Sequence, residues 1–387
     1  VLSGTASHRV AIFTDTYVPH MNGVARTLTR LAESIERRGG EAQIFTTTDP
    51  ASVASARITR FPSIAFPLYG ELRVAAPASS RVRDALRRFQ PSIVHIATPF
   101  GIGLAGRRAA RALRVPWVSS YHTSFSAYAR HYGLPWLSQP LWAFLRAFHN
   151  SGRRTYCPTF ATRNELIGHG FERVHVWSRG VDRTRFTPKK HSTDMRARMG
   201  AATNELVVAY VGRMAREKGL DDLVSAAHVA SRDVRLSHLR FAFAGDGPYL
   251  EELRGRVPTN CTLLGRLEGD DLATFYASAD VFAFPSLTDT FGNVLLEAMA
   301  SGLPIIAADA ASSREVAGEA GVYYNGGDVA GLSARIGELA SRADVRAARA
   351  AASVARAGQF DSDAIIDDLL AGYRDACSES KGEMAAR

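Results

Sequence analysis

Asp289 and Glu297 stand eight residues apart in TDTFGNVLLEAMASG, residues 288–302. Phe291, Val294, Leu295, Leu296, Ala298 and Met299 make this segment apolar almost all round, yet Asn293 and Glu297 sit at i and i+4, on one helix face. A carboxylate on a buried helix is costly unless protein or ligand satisfies it. Thr288, Asp289 and Thr290 are N-cap candidates, and Gly302 and Pro304 are stop signals, so a helix is predicted to open near Phe291–Gly292, just past the strand DVFAFPS. Free N–H groups and the helix dipole at that end favour an anion, phosphate above all, and Gly292 lets the backbone come close. Glu297, one turn in from Asn293, would repel phosphate but could accept from sugar hydroxyls further out, and Asp289 could do so on the other side. The pattern reads as a diphosphate flanked by two hydroxyl-binding carboxylates. The same residues also allow Asp289 as a simple cap and Glu297 as a buried ion-pair partner.

Such a site needs elements to hold it. RVAIFTD, EAQIFTTT, SIVHIAT and PWVSSYHT in the first half, and ELVVAYVG, RFAFAGDG, CTLLGR, DVFAFPS and PIIAAD in the second, read as strands separated by amphipathic helices. This alternation predicts parallel βαβ units, an α/β fold with ligands at the carboxyl ends of the strands. The 387 residues suggest about two domains. The polar stretch RGVDRTRFTPKKHST, residues 179–193, looks like the linker, and FDSDAIIDDLLAGYRDAC looks like a terminal helix. The boundaries follow as 1–183, 184–358 and 359–387.

Charge is divided unevenly. Residues 1–183 hold 24 Arg and no Lys against 10 acidic residues, a net +14, and the remainder is net −5. No acidic residue occurs from Ala85 to Asn164. The first half is either a solvated basic surface or a face for a polyanion: anionic lipid, a phosphorylated acceptor or nucleic acid. Within it, LPWLSQPLWAFLRAFH, residues 134–149, places Trp142, Phe144 and Phe148 at helical spacing beside Trp136, as a core helix or as an interfacial one. Cys157, Cys261 and Cys377 are scattered, without metal-ligand or disulfide spacing, which suits a reducing cytosol. The opening VLSGTASHRVAIFTDTY reads as a strand rather than a leader, and no apolar run is long enough to span a bilayer.

Two patterns mislead. GIGLAG, residues 101–106, fits a dinucleotide fingerprint, but no acid follows before Glu165 to take a ribose. Asp361-Ser362-Asp363 resembles a metal pair, but it opens the terminal helix, where acids serve the dipole.

Taken together, the motifs resemble those of retaining glycosyltransferases with the GT-B fold. Asp289-x7-Glu297 is similar to the Glu-x7-Glu motif, with Asp one methylene shorter at the first position. FTDTYVPHMNGVARTL resembles the N-terminal glycine loop, WSRGVDRTRF the hinge, VGRMAREKGLDDLV the Gly-Arg…Glu-Lys-Gly motif and FAGDGP the strand and turn after it. The wording is closest to bacterial GDP-mannose-dependent α-mannosyltransferases and to glycolipid and sulfolipid synthases.

The resemblance implies two Rossmann-like domains facing across a cleft, with the C-terminal helix returning to the first. It implies that Arg213 and Lys218, after Gly212, hold the donor diphosphate, needing no metal and no cofactor. Glu297 would bind ribose, and Asp289 the transferred sugar. The amides of Thr290, Phe291, Gly292 and Asn293 would meet phosphate, and Gly265, Arg266 and Leu267 the base. Asn22 and Gly23 would close over the β-phosphate, and His122, in SSYHTSF, would lie near the donor sugar. The implied enzyme is a retaining hexosyltransferase, mannose favoured, with GDP-mannose or a UDP-sugar as donor and a membrane lipid as acceptor, peripheral on the cytoplasmic face. A UDP-sugar enzyme glucosylating or sulfoquinovosylating diacylglycerol, or one acting on a soluble phosphorylated acceptor, is the alternative. A nucleotide-sugar epimerase would share the fold but work without an acceptor. A nucleic-acid binder would explain the basic half but not the Arg213, Lys218, Asp289 and Glu297 set.

Overall fold

The computed structural model describes residues 8–19, 22–52, 54–66, 69–75, 79–122, 136 and 138–385. The chain forms two compact units, Val1–Ser178 with Asp363–Arg387, and Arg179–Ser362. The boundary thus lies a few residues before the one predicted. Val181 and Phe186, in the supposed linker, are buried in the core of the second unit, so that stretch folds as part of it.

In the first unit the strands are β1 (Arg9–Phe13), β2 (Glu41–Thr47), β3 (Ile58–Phe61), β4 (Ile64–Phe66), β5 (Tyr69–Val74), β6 (Ile93–Ile96), β7 (Trp117–Ser120), β8 (Thr155–Cys157) and β9 (Val174–Val176). Seven form a parallel sheet in the order β3-β2-β1-β6-β7-β8-β9, and β4 and β5 pair antiparallel apart from it. Short apolar runs such as Val10–Phe13 are buried on both sides because helices cover both faces. One face carries the terminal helix Ser362–Ala385, whose Ile366, Leu369, Leu370 and Tyr373 pack against Val10, Ile12 and Ile93. Asp363 and Asp367 in its first turns reach Arg38 at 2.9 and 2.7 Å as ion pairs.

The second unit has β10 (Leu206–Val211), β11 (Leu239–Ala244), β12 (Cys261–Gly265), β13 (Val281–Phe284), β14 (Ile305–Ala308) and β15 (Gly321–Tyr324), parallel in the order β12-β11-β10-β13-β14-β15. Separate apolar clusters fill its two faces. The order reverses between β10 and β13, and in open α/β sheets ligands bind outside the carboxyl ends of the strands at such a reversal.

The aromatic stretch is a core helix. Trp142 and Phe148 on the helix Ser138–Asn150 are buried, and Phe144 stacks on Phe100. Trp136, at 69% exposure, is the aromatic left at the surface; residues 134, 135 and 137 of that stretch lie outside the described set. The glycine-rich decoy opens the helix Gly101–Leu113, where a Cβ at Gly103 would lie 1.8 Å from the Thr98 carbonyl oxygen and one at Gly106 2.6 Å from the Phe13 ring. Those glycines serve close packing. All three cysteines are free, and among the described residues no helix is long and apolar enough to cross a membrane.

Candidate active site

The chain leaves β10 through Gly212–Gly219 and leaves β13 through Pro285–Gly292, so the two loops flank the strand-order reversal. Lys218 ends a short 3-10 turn, Arg216–Lys218, and its Nζ donates to Asp289 Oδ1 at 2.8 Å. The two side chains are 13% and 27% exposed. Burial opposes ionisation of Asp289, but the Lys218 ammonium, with hydrogen bonds from Lys218 and Ser286, outweighs it and holds the carboxyl below its usual range.

Arg213 Nη1 lies 3.8 Å from Glu217 Oε1, and the Glu217 side chain is 2% exposed. That oxygen has no hydrogen-bond partner among the described residues. Thr288 Oγ1 donates to the Glu217 carbonyl at 3.2 Å, which ties the two loops together. Tyr210 sits beneath both and donates its hydroxyl to the Arg213 carbonyl at 3.1 Å. Burial, with the Asp289 and Glu217 carboxylates nearby, pushes its phenol well above the usual range. Neither Glu217 nor Tyr210 was singled out from the sequence, although Glu217 stands at i+4 from Arg213, the spacing of an ion pair on a turn.

The helix predicted at Phe291–Gly292 runs Asn293–Ala300. Its N-cap is Gly292, with φ +81° and no side-chain cap, rather than Thr288, Asp289 or Thr290. Those residues are drawn off elsewhere: Asp289 to Lys218, and Thr288 to Glu217. A Cβ at Gly292 would lie 3.0 Å from the Phe284 ring. The first N–H groups of this helix therefore lack a side-chain oxygen from the capping residue, the condition that suits an anion. Asn293 is half-buried beside them. Glu297 is 2% exposed and accepts from the Tyr276 hydroxyl at 3.1 Å. Phe291 turns its ring into the core against Phe360, so its backbone is what it can offer a ligand. The Ser312 hydroxyl donates to the Asp289 carbonyl at 2.7 Å and steadies the turn next to Thr290.

At the end of β12, Gly265 has φ +73° with open space where a Cβ would stand, Arg266 is held by Glu268 at 2.5 Å, and Leu267 is buried in the core. Gly212 follows β10, and its carbonyl oxygen would lie 1.8 Å from a Cβ on Gly245. FAGDGP thus packs directly on the turn that launches Arg213.

In the first unit Asn22 caps the helix Gly23–Arg37: its Oδ1 accepts from the Ala25 N–H at 2.9 Å and its Nδ2 donates to Thr16 Oγ1 at 2.7 Å. Asn22 and Gly23 are exposed, and residues 20 and 21 of the glycine-loop motif lie outside the described set. Asp15, at the end of β1 in the same motif, accepts from Thr98 Oγ1 at 2.8 Å and from the Ile102 N–H at 3.1 Å. It therefore caps the helix at Gly101, where a dinucleotide phosphate would have sat. Burial raises its carboxyl to about 6, against the pull of those hydrogen bonds. His122 follows β7 and meets Ser120 Oγ at 2.7 Å; residues 123–125 of its motif are not described.

With this geometry in view, comparison with known proteins is decisive. The profile of glycosyltransferase family 4 matches residues 21–185 and that of glycosyl transferases group 1 matches residues 205–342. A GDP-mannose-dependent alpha-mannosyltransferase of Mycobacterium tuberculosis is 38% identical over 315 residues, 80% of this chain and 81% of the relative. The chain belongs to the GT-B glycosyltransferases of family 4. A sulfoquinovosyl transferase of Arabidopsis thaliana is 34% identical over 83% of this chain and 64% of its own length. Among solved structures, sucrose-phosphate synthase of Thermosynechococcus elongatus superposes with a TM-score of 0.77 at 18% identity, covering 96% of this chain and 99% of the other, and confirms the fold. Anabaena HepE in complex with UDP and glucose gives 0.75 at 18% identity, over 95% and 99%.

In this glycosyltransferase the formal charges of Arg213, Lys218, Glu217 and Asp289 cancel. The Lys218 ammonium is engaged by Asp289. Among the described residues no group of three or more His, Cys, Asp or Glu is placed to hold a metal ion.

Proposed function

We propose that the enzyme is a retaining hexosyltransferase that takes mannose from GDP-mannose and delivers it to a lipid or lipid-linked acceptor at the inner face of the cell membrane. The observation that carries the donor half is the Lys218–Asp289 pair beside a helix N-terminus without a side-chain cap, at the strand-order reversal. In this reading the diphosphate takes the amides of Thr290–Asn293 and the two cations, which offset the charge growing on the leaving group without a metal. Asp289, released from Lys218, turns to the sugar hydroxyls, and Glu297 takes the ribose. Gly265–Leu267 borders the base. Asn22, Gly23 and His122 take part in the transfer reaction. Transfer occurs on one face of the sugar, the departing phosphate accepting the acceptor's proton. A covalent glycosyl–enzyme species trapped on any side chain would overturn that step.

The lipid acceptor is supported by the first unit's surface. The helices Ser79–Phe89 and Gly101–Leu113 pack against each other and expose Arg81, Arg88, Arg108, Arg111 and Arg114. Each such residue near an anionic bilayer contributes on the order of 1 kcal/mol. The mannosyltransferase relatives favour GDP-mannose. The sulfoquinovosyl transferase and the alpha-monoglucosyldiacylglycerol synthase of Streptococcus pneumoniae, 28% identical, favour a second reading, UDP-sugar transfer to diacylglycerol. A donor screen by nucleotide release, with and without anionic liposomes, separates them. Release from GDP-mannose stimulated by liposomes supports the first reading. Full activity on a small soluble acceptor removes the lipid, and epimerised sugar without acceptor removes the transferase.

A further inference from the structure

The strand end that carries His122 is linked by hydrogen bonds to the terminal helix. His122 Nε2 lies 2.7 Å from Ser120 Oγ, which lies 2.8 Å from His95 Nε2, and His95 Nδ1 is hydrogen-bonded to the Tyr373 hydroxyl. Ser120, His95 and Tyr373 are all buried. The groups come from the end of β7, from β6 and from a helix that enters the sheet's face some 280 residues after His95. Trp177 lies edge-on to both imidazoles, 5.6 Å from His95 and 5.7 Å from His122, and narrows the space in which either ring can turn.

Counting protons gives this chain a direction. A neutral imidazole has one donor and one acceptor nitrogen, and a serine hydroxyl has one proton to give. Burial pushes the Tyr373 phenol well above its usual range, so it keeps its proton. Among the described residues the partner of that hydroxyl is His95 Nδ1. Leaving a buried O–H without an acceptor is costly, so Tyr373 donates. His95 then bears its proton on Nε2 and donates to Ser120. The Ser120 proton goes to His122 Nε2, and the His122 proton is left on Nδ1.

We propose that Tyr373 is a positioning residue for the transfer reaction: through His95 and Ser120 it fixes His122 as the Nδ1–H tautomer, with Nε2 an acceptor already taken by Ser120 and Nδ1 a donor and not a base. The proposal rests on the reading of His122 as an active-site residue. It gives the terminal helix a task beyond covering a sheet face. Removal of one hydroxyl remote from the reacting atoms would change what His122 can offer.

The test uses the full-length enzyme labelled with 15N-histidine, with long-range proton–nitrogen spectra assigned through a His122→Ala sample. The wild type is expected to show His122 protonated on Nδ1. Tyr373→Phe keeps the ring and its packing, and Ser120→Ala cuts the chain at its middle. Each is expected to mix the His122 tautomers and lower kcat ten- to a hundredfold, with KM for the donor within threefold. The double variant should be no slower than Ser120→Ala alone, since both act through one path. His122 protonated on Nε2 in the wild type would overturn the proposal. So would Tyr373→Phe with unchanged kcat when His122→Ala is crippled. Unimpaired turnover in His122→Ala would instead remove the active-site reading of His122, while the wild-type spectrum still decides the tautomer.

Discussion

Lys218 and Asp289 should move nucleotide affinity in opposite directions when neutralised one at a time. Their contact, 2.8 Å between largely buried groups, is a charge-assisted hydrogen bond, a class that contributes about 1.5–3 kcal/mol. A diphosphate must take the Lys218 ammonium from Asp289. In Asp289→Asn the ammonium is released and a negative charge near the phosphates is gone, so the nucleoside diphosphate product should bind about three- to tenfold more tightly. In Lys218→Met the cation is lost while Asp289 stays, held in place by the Ser312 hydroxyl on its carbonyl. The product should then bind about 10- to 100-fold more weakly, the loss of one charge-assisted contact. Turnover should fall in both variants. In Lys218→Met it should fall by about 10²–10³, the scale for removing one preorganised group that stabilises a leaving anion. In Asp289→Asn it should fall because the sugar loses its carboxylate partner. Isothermal titration with GDP and UDP, beside a coupled nucleotide-release assay, reads both quantities. If Asp289→Asn weakened nucleotide binding, or Lys218→Met turned over within threefold of wild type, the competition argument would be refuted.

Three further outcomes follow from buried charge. Arg213→Met leaves the Glu217 carboxylate buried without its cation and should cost about 3–5 kcal/mol in urea unfolding; adding Glu217→Gln should restore most of the stability but not the activity. Asp15, raised to about 6 in the folded protein, favours folding fully at pH below about 4, and that contribution is lost as pH rises through 6. Asp15→Asn should therefore raise stability above pH 6 by up to about 3 kcal/mol and flatten the profile between pH 4 and 6; an unchanged profile would contradict the assignment. His149 is fully buried beside Phe148 and Phe171, and burial lowers its imidazole to about 3. Its contribution is present above about 6.5 and is lost as pH falls toward 3, so His149→Gln should blunt acid unfolding monitored by circular dichroism.

Much of the architecture was legible because a parallel sheet covered on both faces demands continuous apolar runs, and ELVVAYVG or PIIAAD can hardly be anything else. β3, β4, β5, β8, β9 and β15 escaped notice. Thr155–Cys157 and Val174–Val176 are only three residues long, and Gly321–Tyr324 is scarcely longer, too short for periodicity to register. The N-cap at residue 292 was misread for a related reason. Three good capping side chains precede it, and two of them, Asp289 and Thr288, had a competing partner that local sequence does not name.

The sequence by itself determined the chemistry on offer: two cations after one strand, two carboxylates bracketing a glycine-led helix after another, and a basic first half. Those are properties of residue types and spacings along the chain. Tertiary structure alone decided which charges meet. Lys218 is 71 residues from Asp289 and finds it because β10 and β13 are neighbours where the strand order reverses. Tyr373 meets His95 because the terminal helix returns to the first sheet. Hydrogen bonds and ion pairs act over a few ångströms, so their partners are set by where the chain crosses itself, and no local pattern carries that information.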